Sequence, residues 1–163
     1  MIKAGDTLPS VPVKLVDSDG VSATDTLAVL GTGTVVLFAV PGAFTPTCDT
    51  SHLPGFVANA GKLKAAGVDR IVCAAANDHH VVKAWAERSE ALGKVDFIAD
   101  PSAKFAVELG LSKDIPDLGG LRYARFAMII RNGVVDELFV QDVAGVTVSG
   151  APAILLALQG AHA

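Results

Sequence analysis

The feature that most constrains the fold of this 163-residue chain is the junction between an apolar segment and a proline-rich turn at residues 34–48. Residues 34–40 form a nearly continuous apolar run of strand length, which is typical of a strand covered on both faces. The turn ends in Thr45 and Pro46, a pair that predicts an N-cap followed by the first residue of a helix. The junction therefore predicts a buried strand that passes through a tight turn into a helix.

Cys48 falls in the first turn of this predicted helix, at about its third position. Unpaired backbone N–H groups and the positive end of the helix dipole favour an anion there. Cysteines so placed can have their pKa lowered from about 8.5 into the range of roughly 3.5 to 7.5, and the thiolate is the reactive form. The alternative is that Cys48 is only a small buried apolar residue. The prolines and threonines around it favour the reactive cysteine.

Composition and charge argue against several classes of function. The net charge is −4 and there is no basic block, so we expect neither a nucleic-acid partner nor an anionic membrane partner. The uncharged stretches at residues 26–48 and 143–163 are broken by Gly, Pro, Ser and Thr, which argues against a membrane span. Residues 1–6 carry no signal-peptide pattern, so we expect a cytoplasmic protein.

The cysteines are too few for a structural framework. Cys48 and Cys73 are the only two, and no C-x-x-C motif is present. This excludes a dense disulfide framework and a cysteine-rich zinc site. In a reducing compartment we expect them to be free, catalytic or transiently paired.

Strand and helix patterns alternate along the rest of the chain, without an internal repeat or a linker. Residues 4–16 predict an edge strand, because proline is tolerated there. The other predicted strands are at residues 34–40, 68–76, 95–99, 123–131 and 134–140, the last two joined by the hairpin signal Asn132-Gly133. The predicted helices are at residues 24–30 (cap Thr24), 46–67 (interrupted at Pro54), 78–92, 102–109 (caps Ser102 and Gly110) and 153–158, with a loop at 115–121. This order indicates one α/β domain over residues 1–163 with a central mixed sheet.

The motif Pro41-x-x-x-Thr45-x-x-Cys48 resembles the active-site motif of the peroxiredoxins. The full sequence of residues 41–48, Pro-Gly-Ala-Phe-Thr-Pro-Thr-Cys, is similar to that of the type II, or peroxiredoxin-five-like, subfamily. Further stretches with similar order and spacing are residues 51–56, 72–78, 83–85, 99–101 and 125–127. The resemblance implies a thioredoxin-like fold with an added N-terminal segment. It also implies hydroperoxide reduction by a cysteine thiolate, with no metal, flavin or haem.

The resemblance also implies roles for four residues. Cys48 would be the peroxidatic nucleophile and become a sulfenic acid. Thr45 would hydrogen-bond the thiolate or the peroxide, and its alternative role is helix capping alone. Pro41 would shield the site and shape the turn, and its alternative role is to end the strand. Arg125 would stabilise the thiolate and hold the peroxide oxygens; alternatively it reaches solvent from a strand end, with Arg122 as the competing candidate.

The histidines and Trp85 carry weaker signals. His52 lies one turn after Cys48 and can share its helix face. No third metal ligand is near, so we expect a packing or supporting role and not a zinc site. His79 and His80 stand where the subfamily often has small, proline or aromatic residues. They either alter the pocket rim or a subunit contact, or form a solvated helix start, and Trp85 is expected in the core or at an interface.

The fate of the sulfenic acid is open from the sequence. Val148 stands where animal relatives carry a resolving cysteine, whereas Cys73 matches the second cysteine of plant and bacterial type II members. A Cys48–Cys73 disulfide needs Cα atoms within about 7 Å, which requires the Cys48 turn to unwind. We therefore favour an external thiol as the reductant, either glutathione with glutaredoxin or thioredoxin.

The resemblance implies a homodimer formed through loops around the active site, including Phe44 and residues 80–85. One alternative function stays open at this point, namely a non-catalytic thioredoxin-fold redox sensor or holdase. Turnover separates the two, because a sensor consumes about one equivalent of peroxide and stops.

Overall fold

The structure, a computed structural model, describes residues 1–141 and 146–160, except for the side chain of Thr50. The strands are β1 (Pro12–Asp17), β2 (Gly20–Asp25), β3 (Thr34–Val40), β4 (Arg70–Ala75), β5 (Asp96–Ala99), β6 (Ser112–Ile115), β7 (Gly120–Tyr123), β8 (Phe126–Arg131) and β9 (Val134–Val140). The α-helices are α1 (Thr26–Leu30), α2 (Leu53–Ala58), α3 (Ala60–Ala65), α4 (His79–Arg88), α5 (Lys104–Leu109) and α6 (Ala151–Gly160). A π-helical segment (Cys48–His52) precedes α2, and a short 3₁₀ turn (Pro116–Leu118) separates β6 from β7.

Within the described residues, seven strands form one mixed sheet in the order β2-β1-β5-β4-β3-β8-β9. β3, β4 and β5 are parallel, and β8 runs antiparallel to β3. One face packs against α2, α3, α4 and α6, and the other packs against α1 and α5. The predicted α/β class with a central mixed sheet is confirmed.

β3 has the bounds that the sequence predicts. Its residues 35–40 have 0% exposed surface, because helices cover both faces of the sheet at its centre. The hairpin after β8 is also confirmed. Asn132 and Gly133 both have positive φ, 51° and 80°, as a two-residue turn of this kind requires.

Two predictions at the N-terminal end were wrong. β1 is not the edge strand, because it lies between β2 and β5. Thr24 does not cap the first helix, because it pairs with Val13 inside β2. Asp25 is the cap instead, and its Oδ1 accepts from the Ala28 N–H at 2.9 Å.

Later boundaries also differ from those predicted. Ser102 does not cap α5; the buried Asp100 carboxylate accepts from the N–H groups of Lys104 and Phe105, and the Tyr123 hydroxyl fixes it at 2.7 Å. The strand predicted at 123–131 begins only at Phe126, as β8, and the end of the predicted loop at 115–121 belongs to β7, which pairs with β6 in a small separate sheet. α4 ends at Arg88 and α6 begins at Ala151. The Gly110 cap is confirmed, with φ of 71°.

No helix in the described residues is long and apolar enough to cross a membrane. The prediction that the chain has no membrane span also concerns the uncharged stretch at 143–163. Residues 143–145 and 161–163 of that stretch lie outside the described part of the chain.

Candidate active site

The turn after β3 places Cys48 at the start of a helix, as the sequence predicts. The Thr45 carbonyl accepts from the Asp49 N–H at 2.8 Å, so the helix begins at Pro46 and Cys48 is its third residue. The Thr45 hydroxyl does not cap the helix but donates to the Gly42 carbonyl at 2.7 Å. Pro41 follows β3 directly and is half-buried, a position compatible with the alternative role of ending the strand as well as with the predicted role of shaping the turn.

The segment from Cys48 to His52 is π-helical, with the Leu53 N–H donating to the Cys48 carbonyl. The sequence predicts an interruption at Pro54 and a separate first segment before it. The interruption is confirmed, because α2 begins at Leu53 with Pro54 in its first turn, but the structure has a second break at Asn59, between α2 and α3, that the sequence does not predict. Short π-helical insertions are frequent at functional sites, and this one carries both Cys48 and His52.

Arg125 reaches the Cys48 thiol because of the pairing between β3 and β8. Ala39 lies opposite Phe126 in this antiparallel pair, so Arg125 comes to the same sheet edge as Pro41. Its Nη2 donates to the Cys48 Sγ at 2.9 Å. The competing Arg122 donates instead to the carbonyls of Ala76 (3.1 Å) and Leu118. The alternative that Arg125 only reaches solvent is wrong.

His52 is buried, with 1% of its surface exposed, and both ring nitrogens have partners. Nε2 lies 2.8 Å from the Ser149 carbonyl oxygen, and Nδ1 lies 2.7 Å from Arg125 Nη1. Burial, together with the positive charge of Arg125, lowers the pKa of His52 from 6.5 to about 4. The imidazole is therefore neutral at neutral pH, and it lies where a packing or supporting role is possible, in contact with Arg125.

Cys73 lies in β4 beside the active-site strand, paired in register with Phe38 of β3. It is a free thiol with 0% exposed surface, and Cys48 is likewise free and has 0% exposed surface. Burial, and after it the negative charge of a Cys48 thiolate, raises the pKa of the Cys73 thiol well above its ordinary value. Cys73 is therefore held as a neutral thiol.

The residues that hold the Cys48 segment in place have no signal in the local sequence. The Asp49 carboxylate accepts from Trp85 Nε1 at 3.0 Å and from Arg88 Nη2 at 3.1 Å, which ties the π-helical segment to α4. The Arg88 guanidinium also lies 5.3 Å from the centre of the Phe44 ring. These partners are distant in sequence, so no local pattern reveals them. Ser149 was missed for the same reason.

The remaining candidates have structural positions. Trp85 is fully buried, which confirms it as a core residue. His79 and His80 begin α4, whose cap is Asp78, and their rings lie 4.0 Å apart. His79 lines a cavity of about 340 Å³ whose lining does not include Cys48. Within residues 1–141 and 146–160, no cluster of three His, Cys, Asp or Glu side chains is placed to hold a metal ion.

A cysteine thiol at a helix start, at the carboxyl edge of a mixed sheet and in contact with an arginine, defines a thiol-dependent redox domain. Comparisons with known proteins narrow this class. The sequence profile of the Redoxin family matches residues 3–155. The chain is 40% identical to Peroxiredoxin-2D of Arabidopsis thaliana over 96% of this chain and 98% of that protein. It is 43% identical to the chloroplastic Peroxiredoxin-2E-2 of Oryza sativa subsp. japonica, over 96% of this chain and 72% of that protein.

A solved structure agrees with the similarity to peroxiredoxins. The crystal structure of reduced Prx3 from Vibrio vulnificus, in complex with H₂O₂, superposes with a TM-score of 0.93 at 44% identity and covers 99% of both chains. The chain belongs to the peroxiredoxin family, in its type II subfamily. The thioredoxin-like fold is confirmed, and the protein is a thiol peroxidase.

Proposed function

We propose that this peroxidase reduces hydrogen peroxide and alkyl hydroperoxides through the Cys48 thiolate. The thiolate attacks one peroxide oxygen, the O–O bond breaks, and the second oxygen leaves as hydroxide or alkoxide and takes up a proton. Cys48 becomes a sulfenic acid. The observation that carries the proposal is the 2.9 Å contact between Arg125 Nη2 and Cys48 Sγ.

The neighbouring residues support this chemistry. Arg125 has donors for both the thiolate and the leaving oxygen, at the place where negative charge develops. Thr45 Oγ1 donates its proton to the Gly42 carbonyl, so towards a peroxide it would serve as a hydrogen-bond acceptor. Pro41 shields the turn from water. Because Cys48 has 0% exposed surface, entry of the peroxide requires local movement, which favours small hydroperoxides over bulky ones.

We further propose that an external thiol, glutathione with glutaredoxin or thioredoxin, reduces the sulfenic acid back to the thiol. Val148 offers no sulfur at the place of the resolving cysteine of animal relatives. Cys73 is buried in the centre of the sheet, so an internal disulfide would require displacement of the Cys48 segment.

Two free cysteines are also typical of a reducing compartment, which supports a cytoplasmic location.

The test is peroxide consumption over many equivalents, with thioredoxin or glutathione and glutaredoxin supplied separately. We expect sustained turnover in the native chain, none with Cys48→Ser, and nearly native turnover with Cys73→Ser. The Cys73→Ser variant is the matched control, because it removes the other buried thiol. If Cys73→Ser stops after about one equivalent, Cys73 resolves the sulfenic acid and the external-thiol proposal is wrong.

A further inference from the structure

The two contacts of the His52 ring define which nitrogen carries the proton. The Ser149 carbonyl oxygen only accepts hydrogen bonds, so the nitrogen 2.8 Å from it, Nε2, must be the donor. A guanidinium nitrogen only donates, so Nδ1, 2.7 Å from Arg125 Nη1, must be the acceptor. One neutral tautomer, with the proton on Nε2, satisfies both contacts.

This tautomer determines how Arg125 presents its guanidinium. Nη1 is held by His52 while Nη2 points at Cys48 Sγ at 2.9 Å. Because the guanidinium is planar and rigid, fixing one nitrogen fixes the direction of the other. A neutral acceptor also leaves the full positive charge of Arg125 available to the thiolate, whereas a carboxylate acceptor would compensate it.

The His52 ring is itself held from several sides. The rings of Phe38 and Phe56 lie 5.0 and 5.6 Å from it, centre to centre. The Gln141 side-chain oxygen accepts from the Ser149 hydroxyl at 3.0 Å and thereby orders the segment that presents the Ser149 carbonyl. The Gln141 backbone N–H in turn donates to the Arg125 carbonyl at 2.9 Å. The imidazole, its acceptor and Arg125 are thus parts of one connected arrangement.

We propose that His52 is a positioning residue of the peroxidase reaction. In the tautomer set by the Ser149 carbonyl, it holds the Arg125 guanidinium in the orientation that serves Cys48. This inference rests on the proposed roles of Cys48 and Arg125.

Two amide variants separate the two contacts of the ring. His52→Asn places an acceptor oxygen near the position of Nδ1 and loses the contact to Ser149. His52→Gln places a donor nitrogen near the position of Nε2 and loses the acceptor for Arg125. The readout is the rate constant of Cys48 oxidation by H₂O₂, followed by the fluorescence of Trp85, the only tryptophan, which contacts Asp49 beside Cys48.

We expect His52→Gln to lower this rate constant by about 10-fold to 100-fold, the size of a lost hydrogen bond to a charged group. We expect His52→Asn to stay within about threefold of the native rate, because it rescues the contact to Arg125. Equal rates in the two variants would overturn the proposal, since a purely structural role predicts equal effects.

Nitrogen NMR of the imidazole in the native protein gives a second test that does not depend on how the variants fold. A protonated Nε2 and an unprotonated Nδ1 at neutral pH support the proposal, and a proton on Nδ1 would overturn it. Failure of the proposed function is a different result. It appears as H₂O₂ consumption that is unchanged in Cys48→Ser, whatever the tautomer of His52.

Discussion

The contact between His52 and Arg125 joins an imidazole to a guanidinium, two groups that repel each other when both are charged. The fold avoids this repulsion by keeping His52 neutral, and it does so with burial first and the Arg125 charge second. His52 therefore links the architecture of the site to the stability of the whole chain at acidic pH.

We expect the free energy of unfolding to fall as the pH drops from 7 to 4.5. The pKa of His52 is about 4 in the folded chain and 6.5 in the unfolded chain, so the unfolded chain takes up the proton first. The contribution of His52 to the free energy of unfolding is fully present above the pKa of the unfolded chain, and it is lost as the pH falls from about 6.5 towards 4. The loss from this group is roughly 2 to 3 kcal/mol at pH 4.5.

Urea unfolding at pH 7 and pH 4.5 measures this loss. We expect His52→Gln to have a smaller difference between the two pH values than the native chain. His80→Gln is the control for the removal of an exposed imidazole at the start of α4. An unchanged difference in His52→Gln would show that His52 is not the group responsible.

At the scale of secondary structure, the π-helical segment is held to the rest of the molecule mainly through Asp49. Its carboxylate receives one N–H from Trp85 and one from Arg88, both on α4. Asp49 is mostly buried, with 17% of its side chain exposed, and Trp85 is fully buried, so the bond to Trp85 is shielded from water, whereas Arg88 is 62% exposed. The segment that carries Cys48 therefore depends on α4 for its position.

We expect Asp49→Ala to loosen this segment and to increase the rate of Cys48 alkylation by N-ethylmaleimide by about tenfold or more. Removing an acceptor of two hydrogen bonds costs about 1 to 3 kcal/mol, which raises the population of the open segment accordingly. Mass spectrometry of the labelled peptides gives the rate at Cys48 and, separately, at Cys73.

The matched control is Asp136→Ala, which removes an exposed ion pair with Arg131. Such pairs contribute about 0 to 1 kcal/mol, so we expect native labelling rates. If Asp49→Ala labels Cys48 no faster than Asp136→Ala does, the Asp49 contacts do not hold the segment.

The elements that the sequence predicts correctly are those with a local cause. β3 is recognisable because burial on both faces demands a continuous apolar run, and the Asn132-Gly133 turn is set by its own backbone preferences. The start of the Cys48 helix follows from Pro46 in the same way, although the Thr45 side chain does not supply the predicted cap.

The elements that the sequence misses depend on distant partners. Ser102 is a reasonable cap by residue type, but Tyr123 holds Asp100 in that role from 23 residues away. The active site also depends on residues that are distant in sequence, because Arg125 approaches Cys48 only through the pairing of β8 with β3. Local patterns alone do not separate Arg122 from Arg125; the family resemblance favours Arg125, and the sheet register shows why it is the one that contacts Cys48.

At the scale of the whole molecule, the turn beside Cys48 presents an apolar side chain to solvent. Phe44 is 39% exposed and has a φ of 64°, a left-handed conformation that is costly for an aromatic residue. Its ring lies near Arg88 and Trp85. Of the region predicted to form the dimer, Trp85 itself is in the core and does not reach the surface. We propose that Phe44 lies at the centre of a homodimer interface.

We expect Phe44→Asp to convert the dimer to a monomer, because a carboxylate buried in an interface without a partner is strongly unfavourable. Sedimentation velocity at micromolar concentration distinguishes the mass of one chain from that of two. The control is Val107→Asp, which changes an apolar residue of comparable exposure (50%) on α5, at the opposite face of the sheet, and should leave the dimer intact. A native chain that sediments as a monomer, or a Phe44→Asp variant that stays dimeric, would place the interface elsewhere or remove it. Because Phe44 adjoins the Cys48 turn, loss of the dimer should also speed the labelling of Cys48, which connects assembly to the stability of the active site.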